Sequence, residues 1–64
     1  MPINLHQKYN HYLGSTRTHD LTNERIMGYG WTDNGTDLDG YYVLTENHTL
    51  YYDLKDQFIR KELR

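Results

Sequence analysis

Ser15, His19 and Asp20 supply the side-chain types of a hydrolytic triad within one short segment. A triad needs a hydroxyl nucleophile, an imidazole base and an orienting carboxylate, together with an oxyanion site and a substrate pocket. A chain of 64 residues has little material from which to build a water-excluding cleft. We therefore interpret this segment as a polar loop and expect neither enzyme activity nor catalytic residues.

Side chains that ligate metals occur in two groups. Asp33, Asp37 and Asp39 lie beside glycines, but Gly35 stands at the third position, where an EF-hand loop starting at Asp33 needs an oxygen ligand. The histidines have no cysteine partners, and no two of them have the i, i+4 spacing that places two imidazoles on one helix face. They are His6, His11, His19 and His48. We expect no metal site and no cofactor.

Aromatic residues are the strongest functional signal of the sequence. The chain has seven tyrosines and one tryptophan, residue types that are enriched at protein interfaces because they combine a large rigid surface with a polar tip. We predict a non-catalytic interaction module, or a small regulator or inhibitor, that binds another protein or a second copy of itself through an aromatic sheet face. The predicted partner-binding residues are Tyr29, Trp31, Tyr42, Leu44 and Tyr51.

The charge distribution suggests a second function. The net charge is −2, but residues 33–56 carry six carboxylates against one lysine, a local charge of −5. A nucleic-acid binder normally presents clustered lysine and arginine, so we do not expect direct nucleic-acid binding. The alternative prediction is that the acidic segment mimics a phosphate backbone and occupies a nucleic-acid-binding protein. A third hypothesis is that the tyrosines stack on bases or sugars. It is weakened because the sequence lacks the cluster of basic residues that usually borders such a site.

Composition also bears on compartment and stability. The longest apolar run, residues 41–44, is far shorter than the ~20 residues that span a bilayer, and the first eight residues lack the apolar region of a signal peptide. With no cysteine there is no disulfide to support so small a core. We expect a soluble, cytoplasmic protein, one small domain over residues 1–64, with a marginally stable monomer.

The N-terminal segment fits both helical and strand periodicity. Leu5, Tyr9, Tyr12 and Leu13 recur at helical spacing, although Leu5, Tyr9 and Leu13 also satisfy alternation. Asn4 is a good N-cap and Gly14 a common helix stop, so we predict a short helix over residues 5–13.

Residues 41–52 form the best-defined element. Two β-prone runs flank Glu46 and Asn47, which predicts a hairpin in which the numbers of paired residues sum to 93. One face then shows Tyr41, Val43, Leu50 and Tyr52, and the other shows Tyr42, Leu44, Thr49 and Tyr51. Both faces are too apolar to be left exposed to water, so we expect each to pack against another part of the chain or a partner. Either the two terminal segments cover one face each, or one face is left for a partner.

A first strand is predicted over residues 25–32. Gly28 and Gly30 disfavour a helix there, and alternation groups them with Ile26, opposite Met27, Tyr29 and Trp31. The Asp, Asn and Gly residues of 33–40 favour tight turns, so this segment is expected to be a reversal or a two-turn loop.

The tail, residues 53–64, allows two interpretations. Asp53 is a possible helix cap and basic residues near the end suit a helix dipole, although the apolar stripe is wide. Alternatively Lys55 and Asp56 form a turn and the chain returns as a strand. The predicted fold is α+β: a three-stranded antiparallel sheet over 25–32, 41–45 and 48–53 with a short helix at each end. The variant has the tail as a fourth strand.

Overall fold

The fold is a four-stranded antiparallel sheet preceded by a short helix. The computed structural model describes residues 4–64. The elements are helix α1 (Leu5–Tyr9), a 3₁₀ turn (Asn10–Tyr12) and strands β1 (Ile26–Asp33), β2 (Leu38–Thr45), β3 (His48–Asp53) and β4 (Phe58–Leu63). The strands lie in the order β1-β2-β3-β4. No helix within residues 4–64 is long and apolar enough to cross a membrane.

Helix α1 begins at the predicted cap. The Asn4 side chain accepts a hydrogen bond from the backbone N–H of Gln7 at 3.0 Å. Leu5 and Tyr9, one turn apart, are both buried. The α-helical geometry ends at Tyr9 and tightens into the 3₁₀ turn, and Gly14 follows with φ +74°. The expected helix is therefore confirmed in position, but its second half is 3₁₀.

The β2–β3 hairpin is confirmed in its predicted register. Tyr41 pairs with Tyr52, Tyr42 with Tyr51, Val43 with Leu50, and Leu44 with Thr49. Burial alternates along both strands, as it does when only one face of a sheet is packed. We call the buried side the core face; its fully or almost fully buried residues are Ile26, Tyr41, Val43, Thr45, Leu50 and Tyr52.

Strand β1 departs from the predicted alternation at its first residues. Ile26 pairs with Thr45 and Gly28 pairs with Leu44, so Met27 is an additional residue in a β-bulge. The bulge brings Ile26 to the core face, where it is 4% exposed, and leaves Met27 62% exposed. The predicted grouping of Ile26 with Gly28 and Gly30 is wrong for this reason.

The turn between β1 and β2 is shorter than the predicted segment 33–40. The reversal occupies residues 34–37, because Leu38, Asp39 and Gly40 already belong to β2. The Asn34 side chain accepts hydrogen bonds from the backbone N–H groups of Thr36 and Asp37. Gly35 has φ +100°, a conformation in which glycine is favoured. The single reversal is therefore the correct alternative, and the two-turn loop is not.

The predicted C-terminal helix is wrong, since the tail forms strand β4 beside β3. The Asp53 carboxylate accepts hydrogen bonds from the backbone N–H groups of Lys55 and Gln57, and Asp56 adopts φ +65°. These contacts close a tight turn in place of a helix cap. The sheet consequently has four strands, as the variant predicted, and the tail does not cover the second face.

Candidate functional site: the open face of the sheet

The second face of the sheet is the candidate functional site. Helix α1 packs on the core face, where Leu5 and Tyr9 join the buried cluster. The strand register places the following residues on the opposite side, here called the open face: Gly28, Gly30, Thr32, Tyr42, Leu44, Thr49, Tyr51, Arg60 and Glu62. Tyr42, Leu44 and Tyr51 are each partly exposed there.

Tyr42 lies across Gly30, its partner on the neighbouring strand. A Cβ atom at Gly30 would stand 2.5 Å from the Tyr42 hydroxyl and 2.7 Å from two ring carbons. Any side chain at position 30 would have to displace the Tyr42 ring, because real Cβ contacts are longer than these distances. The ring in turn shields the Gly30 backbone, as aromatic residues do beside strand glycines. The Gly28 backbone similarly faces the Leu44 side chain.

Tyr51 is bordered by charged groups of β4. The Arg60 guanidinium lies 4.1 Å from the Tyr51 ring centroid, within the range of a cation–π contact. Arg60 Nε donates to the Glu62 carboxylate at 2.9 Å, which fixes the guanidinium beside the ring. The open face thus has an apolar centre on β2 and β3 with an ion pair along one side, a layout typical of protein interfaces.

The structure brings together three of the five predicted partner-binding residues. Tyr42, Leu44 and Tyr51 share the open face, whereas Tyr29 and Trp31 lie on the core face of β1. The Tyr29 hydroxyl is 3.1 Å from His6 Nδ1, and its ring packs against the core. Trp31 contacts the Tyr41 ring edge-on and keeps 38% of its surface exposed at the sheet edge.

A polar network supports the core face beside α1. The Tyr41 hydroxyl donates to the Asp56 carboxylate, which also pairs with the Lys8 ammonium group. Tyr9 and Tyr41 hydroxyls are 3.2 Å apart. Burial alone would raise the pKa of Asp56, but the hydrogen bonds from Lys8 and Tyr41 lower it below its ordinary value. Burial together with the Asp56 bond raises the pKa of Tyr41. The ionised carboxylate therefore joins the β3–β4 turn to the helix.

His19 is buried under the loop that precedes β1. Its Nδ1 accepts a hydrogen bond from the Leu21 backbone N–H at 3.0 Å, so its proton lies on Nε2, which donates to the Tyr52 hydroxyl at 2.8 Å. Burial lowers the pKa of the imidazole more than Asp20 raises it. His19 is consequently a neutral structural residue, and the Ser15 hydroxyl donates to the Tyr12 carbonyl.

A cleft of about 290 Å³ adjoins the Asp56 network and His19. It is lined in part by Lys8, Tyr12, His19 and Asp56. No buried side-chain nitrogen or oxygen in residues 4–64 lacks a hydrogen-bond partner. The buried polar side-chain atoms of the cleft are thus satisfied by the fold itself. The sequence contained a general sign of this arrangement, because buried tyrosine hydroxyls need partners, but it did not indicate which groups would supply them.

Glu24 stabilises the end of the sheet that carries the β2–β3 turn. Its carboxylate accepts hydrogen bonds from the Thr45 hydroxyl, from the backbone and side-chain N–H groups of Asn47, and from His48 Nδ1 at 2.9 Å. The His48 bond, followed by the Asn47 and Thr45 bonds, lowers the pKa of Glu24 to about 2. The carboxylate holds the β2–β3 turn to the loop before β1. Sequence reasoning missed this residue, because a lone glutamate in a polar loop carries no pattern.

The acidic residues collect at the other end. The β1–β2 and β3–β4 turns lie at the same end of the sheet, since the strands are antiparallel and sequential. Five carboxylates belong to these turns and the adjoining strand ends: Asp33, Asp37, Asp39, Asp53 and Asp56. We call this region the acidic end. Within the described chain, no group of three or more histidine or acidic side chains is arranged to hold a metal ion.

Comparisons with known proteins contribute no family or relative. No protein-family model, no curated protein and no solved structure matches the chain significantly.

Proposed function

We propose that this chain is a non-catalytic protein-binding module and that its open face binds a partner protein through Tyr42, Leu44 and Tyr51. The observation that carries the proposal is the one-sided packing of the sheet: α1 covers the core face, and the tail, as β4, extends the sheet without covering the second side. Partly exposed tyrosine and leucine side chains remain in the centre of that side.

The chemistry of the open face supports binding in preference to catalysis. Its side chains are aromatic, aliphatic or hydroxyl-bearing, apart from Arg60 and Glu62, which already neutralise each other. Tyrosine immobilises few rotatable bonds when it is buried at an interface, and its hydroxyl can still form a hydrogen bond there. The Arg60–Glu62 pair lies at the rim, where charge contributes to orientation more than to affinity.

The test uses two matched double variants. Leu44→Ala with Tyr51→Ala removes one leucine and one aromatic ring from the open face. Phe58→Ala with Leu63→Ala likewise removes one leucine and one aromatic ring, from exposed positions of β4. A partner is first captured from cell extract with the native chain and purified, and calorimetry then measures its affinity for all three proteins. We expect the open-face variant to lose at least about tenfold in affinity, equivalent to ~1.4 kcal/mol. The control variant should bind as the native chain does.

Chemical-shift mapping of the complex supplies a second readout. The largest shifts should fall on the amides of residues 42, 44 and 51 and of their cross-strand neighbours. Unchanged affinity of the open-face variant, in a protein that circular dichroism shows to be folded, would contradict the proposal. Shifts concentrated on the helix or on the acidic end would contradict it equally.

The acidic end favours one alternative function, mimicry of a nucleic-acid backbone. Asp33 and Asp37 form no ion pair within residues 4–64, so their charge is available to a basic surface. Binding through such contacts must weaken as salt rises from about 50 to 500 mM, because exposed charges are screened. Asp33→Asn with Asp37→Asn should then reduce affinity. Salt-independent binding excludes the mimic and is compatible with the open face.

A further inference from the structure

The two edges of the sheet differ in how they are protected. Native edge strands are commonly guarded by charges, prolines and bulges, which discourage pairing with another chain. Strand β4 has three consecutive charged residues, Arg60, Lys61 and Glu62, and a bulge at Ile59. Residues 26–32 of β1 contain no charged residue and no proline, and the bulge at Met27 leaves the stretch from Gly28 to Thr32 regular. Within the described chain β1 is an edge strand whose start is bridged by the preceding loop, where Thr18 pairs with Arg25; the outer backbone groups available for pairing are those from Gly28 to Thr32.

The regular part of β1 is short and is centred on Gly30. Its one-to-one register with β2 runs from Gly28 to Thr32 and is interrupted on both sides, at Met27 and after Thr32. We propose that two copies of the chain dimerise by antiparallel pairing of this segment around a twofold axis at Gly30. The product is one continuous eight-stranded sheet, and the inference does not rest on the proposed function of the open face.

The centred register pairs the two aromatic residues of the edge strand. Tyr29 of each copy lies opposite Trp31 of the other, on the core-face side of the sheet. Trp31 is 38% exposed in the single chain, and its free surface would be covered by this cross-strand pair. A slip by one residue in either direction would separate the aromatic pair and place Trp31 opposite a glycine, so the aromatic pairs specify the register.

Charge complementarity also favours a second copy as the occupant. Antiparallel pairing brings the start of one β1 towards the end of the other, so Arg25, just before the bulge at Met27, comes near Asp33 of the second copy. Such neighbours are within reach of long side chains. Neither Arg25 nor Asp33 forms an ion pair in the described part of the chain, so two intermolecular pairs can form.

The open-face side of the segment accommodates this approach. Gly28 and Gly30 present no side chains there, and the Tyr42 hydroxyl already reaches the position over Gly30. Gly30 would lie opposite Gly30 of the second copy, with the two Tyr42 rings approaching from either side. No bulky residue of β1 separates them. The homodimeric interface on β1 therefore borders the open face at Tyr42 and leaves Leu44 and Tyr51 outside the paired edge.

Sedimentation equilibrium tests the dimer, with protein concentration raised to about 1 mM. The native chain should shift with concentration from 7.7 kDa towards twice that mass. Trp31→Lys should remain monomeric over the same range, because it places a charge at the pairing edge. The matched control is Ile59→Lys on the β4 edge, where 53% of the side chain is exposed; it should dimerise as the native chain does.

A charge exchange provides a test that does not depend on the folding of the tryptophan variant. Arg25→Glu and Asp33→Lys should each weaken dimerisation, and the double variant should restore it. In a mixture of labelled and unlabelled chains, isotope-filtered NOEs should connect Tyr29 with Trp31 of the second copy. Such contacts distinguish pairing at β1 from association through the open face.

Three results would overturn the dimer proposal. They are a native chain that stays monomeric throughout the concentration range, an Ile59→Lys variant that dissociates, and a failure of the exchanged charges to restore association. Failure of the proposed function is separately recognisable. It is read from partner affinity in the Leu44→Ala, Tyr51→Ala variant, whose substitutions lie on β2 and β3, away from the dimer edge.

Discussion

The Tyr42 ring occupies the space next to Gly30 that a Cβ atom would need, 2.5 Å from the tyrosine hydroxyl. The pair lies directly across the β1–β2 ladder on the open face. Each residue therefore determines what the other position can accept. Glycine would ordinarily weaken a strand, and here its backbone is covered by an aromatic ring in place of a side chain of its own.

Replacing the glycine tests this relationship. We expect Gly30→Ala to destabilise the fold by about 1–2 kcal/mol, because the methyl group must push the Tyr42 ring away. In a Tyr42→Ala background the same substitution should be neutral, or stabilising by up to about 1 kcal/mol, since alanine loses less backbone entropy than glycine. Urea unfolding of the four proteins at low concentration measures the coupling. Equal effects of Gly30→Ala in both backgrounds would show that the ring does not constrain the site.

Removing one buried hydroxyl tests the polar network. Tyr41 is 1% exposed, and its hydroxyl bonds to both Asp56 and Tyr9. Tyr41→Phe should lower the free energy of unfolding by about 1–3 kcal/mol, because both partners lose a hydrogen bond in a partly buried position. The matched control is Tyr51→Phe on the open face, which should change stability by less than about 0.5 kcal/mol. If Tyr41→Phe changes the free energy of unfolding as little as the control does, the hydrogen bonds of the Tyr41 hydroxyl do not stabilise the fold.

The sequence predicted the elements whose signals are local. The β2–β3 hairpin was predictable in its register, because two β-prone runs flank a two-residue turn and a one-residue slip would exchange its faces. The Asn4 cap was equally local, and the structure confirms it.

The errors arose where a tertiary partner decides the structure. Asp53 and Asp56 suit a helix start as well as a tight turn, and pairing with the free edge of β3 favours the turn and strand β4. The bulge at Met27 has no local signature either, because it is the pairing of Ile26 with Thr45 that brings Ile26 into the core. For the same reason, the sequence could place Tyr42, Leu44 and Tyr51 on one hairpin face but could not show that Tyr29 and Trp31 lie on the other face of the sheet.

Acid should weaken the contact between Glu24 and the β2–β3 turn. The pKa of Glu24 is lowered to about 2 from an ordinary value of 4.5, so the folded state binds a proton less readily than the unfolded chain. The resulting stabilisation is present above pH 4.5 and is lost as the pH falls towards 2. Glu24→Gln should be less stable than the native chain near neutral pH, and the two should converge as the pH approaches 2. Urea midpoints measured across this range check the prediction, and a constant difference at every pH would contradict it.

His19 should make stability depend on pH nearer neutrality. Burial lowers its pKa from the ordinary 6.5, so the unfolded chain takes up a proton first as the pH falls below that value. A proton on Nδ1 would also face the Leu21 N–H, which now donates to that atom, and would break the bond that shapes the loop. We therefore expect the free energy of unfolding to decrease from about pH 8 to about pH 5.

His19→Gln isolates this contribution, because glutamine does not titrate. Its side chain also carries both a donor and an acceptor for hydrogen bonds to Tyr52 and Leu21. The variant keeps His6, His11 and His48, so a difference in pH dependence between the two proteins belongs to His19. The variant should lose part of the decline in stability between about pH 8 and pH 5. Identical pH profiles would show that the imidazole can be protonated without disturbing the Tyr52 and Leu21 contacts, and would refute the neutral, locked tautomer.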